Sequence, residues 1–353
     1  MLKNLPRESS LQLLNLYNRM WTDGSFPREW KSAILVPFPK TSSSGVADFR
    51  PIALSNCDLK IFERLVNFRL MWYLEKENLL NNNQIGFRRG RSTTNSLTTF
   101  SGDILESFEK RSHTTAVFFD MQGAYDRTWA EVIINQLVEW GFHGHILDFI
   151  KFYLTSRKIR VRIGSTLSSE ESIDNGVPQG GVLSVTLFLV AINGIFKFFN
   201  PDDPNKILVY ADDIVVYNDT LDDSERCIQL QKCVNEIGKW ASRNGFRFSP
   251  SKTKIMHFCR KHRCRQIPLS LNGSLLEYVE TYKYLGLWFD PKLSFKKHIR
   301  EIKTASYVDP FPLTTRCSLP MGQHMMIKEV LLLLLNLNLS LVSDVMSPSQ
   351  FTL

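Results

Sequence analysis

Two adjacent carboxylates, Asp212 and Asp213, lie between two runs of apolar, strand-forming residues in the segment KILVYADDIVVYNDT. Carboxylates this close raise each other's pKa, and burial of an unpaired charge is costly. Only Lys206, at the start of the segment, carries a positive charge, so a bound metal ion is one candidate for the compensating cation. The other interpretation of the pair is a polar hairpin turn, because Asp is a common turn residue.

A third carboxylate follows a different apolar strand. Asp120 comes directly after Val117, Phe118 and Phe119 in AVFFDMQGAYD. A carboxylate at a strand end and another in a hairpin turn, on neighbouring strands, suit Mg²⁺, which prefers oxygen ligands. Two such ions about 3.5–4 Å apart activate an attacking hydroxyl and stabilise the leaving oxygen of a phosphoryl displacement. The three carboxylates are therefore compatible with metal-dependent phosphoryl transfer, and a polar hairpin turn stays the other interpretation of the Asp-Asp pair.

The charge of the chain fits a polyanionic partner. The 353 residues contain 43 Lys and Arg against 35 Asp and Glu, which gives a formal net charge of +8 and a pI near 9.1. Basic residues cluster with aromatic or apolar ones in GFRRGR and SRKIRVR, and residues 240–265 contain eight Lys or Arg and no acid. Such segments make salt-sensitive contacts to nucleic-acid phosphates. A basic surface without specific function is the alternative.

Helices and strands alternate around the carboxylates. CDLKIFERLVNFRLMWYLEKENLL has helical spacing, RTWAEVIINQLVEWGF predicts a helix opened by a capping box of Thr128 and Glu131, and KIRVRIGS alternates as an exposed strand. This pattern predicts an α/β or α+β fold with a sheet covered on one face by helices. The chain is long enough for two or three subdomains.

Other classes of protein fit the sequence less well. The most apolar run, residues 330–342, has 13 residues with two internal Asn, which is too short to span a bilayer. The six cysteines show no framework spacing, which is typical of reduced thiols in an intracellular protein. In MHFCRKHRC, His257, Cys259, His262 and Cys264 lie close together, but their spacing fits no familiar zinc finger. A basic strand-to-loop segment is the preferred interpretation.

A series of ordered blocks gives the sequence a family resemblance from about residue 10 to residue 300. FPREWKSAILVPFPK, DFRPIALSNCDLKIFERLVNFRL and NQIGFRRGRSTTNSL precede FFDMQGAYD, GVPQGGVLS and YADD, and NGFRFSPSKTKIMHF and YKYLGLWFDPKLSFKKHI follow. Together they resemble the reverse transcriptases of non-LTR (LINE-type) retrotransposons. The resemblance implies a right-hand polymerase fold of the α+β class, with fingers, a palm built on an antiparallel sheet, and a partial thumb.

The resemblance also implies a division of the chain into domains. Fingers are expected over 1–113 and the palm over 114–289, with an inserted fingers segment at about 150–175. The segment 290–353 is expected to be a partial or degenerate thumb, because the resemblance fades after about Ile302.

The catalytic roles that the resemblance implies fall on four residues. Asp120, Asp212 and Asp213 are the implied ligands of two Mg²⁺ ions, for which Mn²⁺ is the expected substitute. Lys252 of SKTK is the implied proton donor to the pyrophosphate leaving group. A solvated basic face is the alternative for Lys252.

Nucleotide binding is implied for five further residues. Tyr125 falls at the family's sugar gate, where a bulky ring selects deoxynucleotides, although ordinary core packing also explains it. Arg50 and Lys40 are the implied triphosphate contacts, since the forked Arg guanidinium and the compact Lys ammonium group both bind phosphate. Gln179 and Gly180 of GVPQGG are expected to lie against the nucleotide and template.

The block YKYLGLWFD implies a primer grip at Tyr284, Leu285 and Gly286. The partners that follow from the resemblance are an RNA template, a DNA primer and deoxynucleotides, with no membrane. The expected location is intracellular, in a cytoplasmic ribonucleoprotein and in the nucleus.

The sequence departs from the family pattern at two positions and leaves two alternative functions open. Gly181 stands where the family usually has Ser, and Val185 where it usually has Pro. One alternative is an impaired retroelement remnant that binds nucleic acid without productive catalysis. The other is a group II intron-type maturase, although the RPIAL and YLGLWFD blocks are of the LINE type.

Overall fold

The computed structural model describes residues 5–39, 49–199, 203–261 and 266–308. The predicted triphosphate contact Lys40 lies outside the described residues, and so does the predicted thumb after residue 308. Within these ranges, no helix is long and apolar enough to cross a membrane.

The described part of the chain contains eight α-helices, fourteen strands and two short 3-10 helices (Arg28–Lys31 and Asn193–Phe198). The helices are α1 (Arg7–Asp23), α2 (Cys57–Lys76), α3 (Thr93–Glu109), α4 (Ala130–Glu139), α5 (His145–Leu154), α6 (Val182–Ile192), α7 (Asp223–Arg243) and α8 (Lys296–Val308). The strands are β1 (Ser32–Pro39), β2 (Phe49–Leu54), β3 (Thr114–Phe119), β4 (Arg157–Ile163), β5 (Thr166–Leu167), β6 (Glu171–Ile173), β7 (Asn205–Tyr210), β8 (Asp213–Asn218), β9 (Lys254–Phe258), β10 (Ser270–Leu271), β11 (Ser274–Leu275), β12 (Glu277–Tyr278), β13 (Tyr282–Tyr284) and β14 (Leu287–Phe289).

A five-stranded central sheet carries the three carboxylates. Its order is β12-β9-β3-β8-β7, and β3 pairs antiparallel with both β8 and β9. β7 and β8 form an antiparallel hairpin, while the short β12 runs parallel to β9. All six residues of β3 are buried, as its continuous apolar run predicts for a strand covered on both sides.

Both faces of the central sheet are covered, so the prediction of helices on one face alone was wrong. Val117 and Phe119 of β3 pack into a large core that draws on α1, α2 and α4–α7. Ala116 and Phe118, which point the opposite way, pack into a second core with Phe100 of α3 and with the β13–β14 hairpin. Because all six residues of β3 are buried, neither of its faces is left to solvent.

The other five-stranded sheet contains β1 and is named the first sheet. Its order is β2-β1-β4-β5, with β6 also paired to β4. β1 pairs antiparallel with β2 and parallel with β4, where Ser32 lies opposite Lys158. The exposed alternation predicted for KIRVRIGS is observed in β4. The parallel pairing joins chain segments more than a hundred residues apart.

The predicted capping box at the start of α4 is wrong. The N-cap residue of this helix is Trp129, and no side chain caps it. Thr128 is buried, and its hydroxyl donates a hydrogen bond to the Ala124 carbonyl oxygen at 2.8 Å. The helix therefore begins one residue later than the capping box requires, and the Thr128 hydroxyl points back to the preceding turn.

Candidate active site

The Tyr-Ala-Asp-Asp segment forms the tight turn between β7 and β8. Tyr210 pairs with Asp213, so Ala211 and Asp212 are the two turn residues. Ala211 has a left-handed backbone with a φ of +57°, a conformation that costs about 1–2 kcal/mol for a residue with a Cβ. The acidic pair therefore lies in a hairpin turn, a position that fits both of its interpretations, and the turn sets both carboxylates at one end of the central sheet.

Asp120 lies beside this turn. It follows the last paired position of β3, Phe119 opposite Ile214, so the next position along β8 is that of Asp213. The Asp120 backbone N–H donates to Thr253 Oγ1 at 3.3 Å, and its carbonyl oxygen accepts from the Ser249 N–H at 2.9 Å. Two neighbouring strands thus bring the three predicted carboxylates to one end of the sheet.

In the part of the chain that the structure describes, Asp212 and Asp213 have no basic partner. Partial removal from solvent, and then the charges of Asp212 and Asp120, raise the pKa of Asp213 to about 6. Neither Asp212 nor Asp213 forms an ion pair with a Lys, Arg or His in the described ranges. Hard carboxylate oxygens with uncompensated charge are the donor set that a divalent cation such as Mg²⁺ prefers. The residues present therefore fit a divalent metal ion.

Tyr125 lies between the acidic turn and α6. Its ring stacks on Phe188 with centroids 5.1 Å apart and an interplanar angle of 18°. Burial, and then the negative charge of Asp212, raise the pKa of the Tyr125 hydroxyl to about 12. The ring therefore packs against α6 and lies close enough to Asp212 to respond to its charge, while its role as a sugar gate stays a prediction.

The turn that contains Gln179 and Gly180 is attached to the first sheet. The Gln179 carbonyl oxygen accepts from the Ala53 N–H of β2 at 2.7 Å, and its side-chain Nε2 donates to Asp126 Oδ1 at 3.2 Å. Gly180 has a φ of +111°, and a Cβ there would lie 3.0 Å from the Ala53 carbonyl oxygen. Arg50 is exposed three residues before Ala53 on the same strand. One strand therefore connects the implied triphosphate contact to the implied nucleotide-binding turn.

Lys252 lies in a turn next to Asp120. The Thr253 N–H donates to the Ser249 carbonyl oxygen at 2.8 Å and closes the turn, in which Lys252 is exposed. Since Ser249 and Thr253 are the residues that hydrogen-bond to the Asp120 backbone, this turn brings Lys252 to the edge of the acidic site.

The predicted primer grip is a hairpin turn whose first residue is buried. Tyr284 packs in the second core, with its hydroxyl 3.1 Å from Ser96 Oγ. Leu285 and Gly286 form the turn between β13 and β14, with φ values of +47° and +89°. Tyr284 therefore anchors the hairpin, while Leu285 and Gly286 form its tip.

Tyr282 places this hairpin next to the acidic site. Its ring stacks on Phe118 of β3 with centroids 4.2 Å apart. Burial, and then the charges of Asp213 and Asp120, raise the pKa of Tyr282 to about 12. Tyr282 was not singled out in the sequence, where a Tyr at the start of a short strand gives no sign of its neighbours.

A loop that sequence reasoning assigned only to a family block supports the Tyr-Ala-Asp-Asp turn. The Ile85 N–H donates to the Val209 carbonyl oxygen at 2.8 Å, and the Val209 N–H donates to the Asn83 carbonyl oxygen at 2.9 Å. A Cβ on Gly86 would lie 2.6 Å from the Ala211 backbone nitrogen. The glycine in NQIGF was the signal for this close approach.

Arg88, in the basic segment GFRRGR, is a structural residue and not part of a nucleic-acid track. Its side chain is buried and forms a two-point ion pair with Glu75, at 2.7 Å and 2.6 Å. It also donates to the carbonyl oxygens of Asn81 and Gln84. Its neighbour Arg89 is exposed. Sequence alone does not separate these two arginines.

The histidines and cysteines of MHFCRKHRC do not form the considered zinc set in the described part of the chain. His257 and Cys259 lie with His113, their ligand atoms within 4.8 Å of one another, at the opposite end of β3 from Asp120. Cys259 is disulfide-bonded, so its sulfur is not a thiolate ligand, and the prediction of reduced thiols is wrong for this residue. His262 and Cys264 lie outside the described residues.

Comparison with known proteins decides the family. The profile of the family described as "Reverse transcriptase (RNA-dependent DNA polymerase)" matches residues 38–289. The chain belongs to the reverse transcriptase family. As the ordered motifs predicted, its relatives come from non-LTR mobile elements, and enzymes of this family depend on divalent metal ions.

Two fly proteins illustrate the similarity of this reverse transcriptase chain. The probable RNA-directed DNA polymerase from transposon BS of Drosophila melanogaster is 30% identical over 313 residues, which is 87% of this chain and 34% of the relative. The RNA-directed DNA polymerase from mobile element jockey of the same fly is 30% identical, over 85% of this chain and 33% of the relative. The chain thus spans about a third of the length of these curated relatives.

Solved structures confirm the predicted right-hand polymerase fold. An apo telomerase from Candida tropicalis, truncated from its C-terminal domain, aligns with a TM-score of 0.52 at 12% identity, over 81% of this chain and 59% of that chain. Telomerase from Candida albicans, in complex with a fragment of telomeric RNA, aligns with a TM-score of 0.51 at 15% identity, over 96% of this chain and 58% of that chain. The mixture of helices and sheets agrees with the α+β class.

Proposed function

We propose that this chain is the RNA-directed DNA polymerase domain of a non-LTR retrotransposon, which adds deoxynucleotides to a DNA primer on an RNA template. The observation that carries the proposal is the juxtaposition of Asp120, at the end of β3, with the Tyr-Ala-Asp-Asp turn in a member of the reverse transcriptase family. The names of the relatives support it, since several are RNA-directed DNA polymerases of mobile elements.

Asp120, Asp212 and Asp213 are the proposed ligands of Mg²⁺, with Mn²⁺ as a substitute. When bound, the metal supplies positive charge to the attacking 3′ oxygen, the reacting phosphate and the pyrophosphate. The chain's own contribution is to fix the carboxylates before the substrate arrives. The β7–β8 turn and the hydrogen bonds to the Asp120 backbone do this.

The proposed nucleotide site lies between the acidic turn and the first sheet. Arg50 of β2 contacts the triphosphate, and the turn of Gln179 and Gly180 lies against the base pair being formed. The Tyr125 ring, held by its stack on Phe188, limits the space under the 2′ carbon of the sugar. Lys252, exposed in the turn beside Asp120, donates a proton to the leaving pyrophosphate, a general-acid step in which its ammonium group reaches hydrogen-bond distance of the departing oxygen.

The proposed partners are an RNA template, a DNA primer and deoxynucleotides. The net charge of +8 supports phosphate binding, and one similar telomerase was solved in complex with an RNA fragment. A cytoplasmic ribonucleoprotein and the nucleus are the proposed locations, where such a polymerase meets its RNA and its target DNA. No specific observation favours the remnant or the maturase as a second function.

The test is primer extension on a homopolymer RNA template with a DNA primer and Mg²⁺ or Mn²⁺. The wild-type chain is expected to extend the primer, and Asp212→Asn is expected to lower the rate at least about a thousandfold, because a neutral amide is a poor ligand for a hard divalent cation. Gly102→Ala, at an exposed position of α3 where an added Cβ has no atom within 4 Å, is the control for handling. Salt-sensitive template binding without extension by the wild-type chain would contradict the proposal and favour the remnant.

A further inference from the structure

Helix α6, which follows the turn of Gln179 and Gly180, receives its N-terminal cap from a distant helix. Its own N-cap residue is Gly181, which has no side chain to offer. Instead, Glu63 of α2 accepts a hydrogen bond from the Leu183 backbone N–H at 3.0 Å. A carboxylate at this end of a helix satisfies an otherwise free N–H group and interacts favourably with the helix dipole. Glu63 therefore fixes the point at which α6 begins.

The hydroxyl of Tyr153 holds this carboxylate in place. It donates to Glu63 Oε2 at 3.2 Å and lies 2.9 Å from Ser184 Oγ. Burial, and then the charge of Glu63, raise the pKa of Tyr153 well above its usual value, so the hydroxyl keeps its proton. The three side chains are buried and come from α2, α5 and α6, which are far apart in the sequence.

The same hydroxyl occupies the space of a side chain at position 181. A Cβ on Gly181 would lie 2.2 Å from Tyr153 Oη and 2.5 Å from Ser184 Oγ. The φ of Gly181 is −72°, which any residue adopts, so its backbone does not require glycine. Space alone requires it. By resemblance to the family, position 181 usually carries Ser, and here the Tyr153 hydroxyl lies where that side chain would begin.

The contacts of Tyr153, Glu63 and Gly181 lie next to the nucleotide-binding turn, because Gly181 directly follows Gln179 and Gly180. On one side, the Gln179 carbonyl oxygen is bound to the Ala53 N–H of β2. On the other side, Gly181 begins the helix that Glu63 caps. The turn of Gln179 and Gly180 is therefore held at one end by β2 and at the other by the start of α6, and a change at either end displaces it.

We propose that the Tyr153 hydroxyl replaces a side chain at position 181 and, through Glu63, positions the Gln179–Gly180 turn for the incoming nucleotide. The inference rests on the proposed polymerase function. Tyr153 is buried behind the turn and does not touch the nucleotide, so it is a positioning residue. Its loss affects the KM for the deoxynucleotide more than the rate at saturation.

The test is a double-substitution cycle of Tyr153→Phe and Gly181→Ser in the full chain. Tyr153→Phe is expected to raise the KM for the deoxynucleotide about threefold to tenfold, because it removes one hydrogen bond to a buried carboxylate. Gly181→Ser alone is expected to lower kcat/KM at least about tenfold, because its Cβ overlaps the hydroxyl. The double variant removes the 2.2 Å contact, frees Ser184 Oγ from the Tyr153 hydroxyl so that it can rotate away from the new Cβ, and offers the serine a buried carboxylate. Its KM is therefore expected to return to within about threefold of wild type.

Tyr17→Phe is the matched control, since it removes another buried hydroxyl that contacts the same helix, α2, but donates to the Asp58 carbonyl oxygen and not to Glu63. It is expected to shift the melting temperature without changing the KM. Effects of the two substitutions on KM that simply multiply would overturn the inference, as would an unchanged KM in Tyr153→Phe.

The melting temperatures of the same four proteins test the contact without catalysis. A non-additive cycle in melting temperature is expected whether or not the chain extends a primer, and an additive one overturns the inference. A wild-type chain that fails to extend any primer, with a non-additive melting cycle, would instead count against the proposed function.

Discussion

Gly86 lies so close to Ala211 that a Cβ on the glycine would be 2.6 Å from the alanine's backbone nitrogen. The atoms nearest to this Cβ all belong to the backbone of Tyr210 and Ala211, so a side chain at position 86 forces the Tyr-Ala-Asp-Asp turn to move. Gly86→Ala is therefore expected to cost about 1–3 kcal/mol of stability, as overpacking does, and to lower the rate of primer extension at least about tenfold.

Single-turnover extension and thermal melting measure the two effects. Gly102→Ala is the matched control, because this exposed glycine of α3 has no atom within 4 Å of an added Cβ. It is expected to stabilise the helix by about 0.5–1 kcal/mol and to leave extension unchanged. Wild-type extension by Gly86→Ala would show that the turn tolerates displacement.

The ring of Tyr125 is expected to determine the choice of sugar. Tyr125→Val removes the ring that stacks on Phe188 and opens space beside Asp212, so the preference for deoxynucleotides over ribonucleotides is expected to fall at least about tenfold. Tyr125→Phe keeps the ring and is expected to keep the preference. The ratio of kcat/KM for the two nucleotide types is the measurement, and an equal loss in both variants would assign selection to the hydroxyl.

Arg88 and Arg89 are expected to differ sharply despite being adjacent. Arg88→Leu leaves Glu75 and two carbonyl oxygens without their donor, so it is expected to lower the free energy of unfolding by about 2–3 kcal/mol. Arg89→Leu is expected to change stability by less than about 0.5 kcal/mol and to reduce the salt dependence of template binding by about one phosphate contact. Urea melts and binding titrations at several salt concentrations separate the two roles, and similar results for both would refute the assignment.

His257 is expected to make the fold sensitive to acid. Burial, and then the charge of Arg226, lower the pKa of His257 to about 4, below the usual value of about 6.5 in an unfolded chain. Between these pH values the unfolded chain binds the proton and the folded chain does not. The stability that the neutral ring contributes is therefore present above about pH 6.5 and is lost as the pH falls towards 4.

His257→Gln is expected to remove this loss while keeping a polar group near Thr115, to which the ring is bound at 2.9 Å. Between pH 7.5 and pH 4.5, the wild-type chain is expected to lose on the order of 2 kcal/mol more stability than the variant. Denaturant unfolding across this range measures the difference. Parallel pH profiles for the two proteins would rule out His257 as the acid-sensitive group.

The ordered motifs of this chain predicted its fold and its three carboxylates because those features are local. An apolar strand that ends in Asp120 and a turn that contains Asp212 are each complete within a few residues. The prediction of a capping box was wrong because Thr128 is buried, its hydroxyl bonds to Ala124, and the helix begins one residue later. The prediction that GFRRGR binds nucleic acid was wrong for Arg88, because the ion pair of Arg88 with Glu75 forms only when α2 and the following loop have folded.

The contacts around Gly181 show a different limit of sequence reasoning. Read along the chain, this glycine is only a departure from the family pattern. Its explanation lies in Tyr153 and Glu63, which are 28 and 118 residues away in sequence. A compensating side chain so distant leaves no local pattern, because the volume it fills is defined by three helices together.

The parallel pairing of β1 with β4 has a consequence for synthesis. Residues 32–35 of β1 have their partners at residues 158–161, and such a parallel ladder closes a large loop before it gains any hydrogen bond. At roughly 5–20 residues per second, a ribosome needs on the order of ten seconds to supply β4 after β1 has emerged. During that interval, the edge of β1 is an unpaired template for other strands. A nascent chain of this kind is a natural client for a chaperone that binds extended segments.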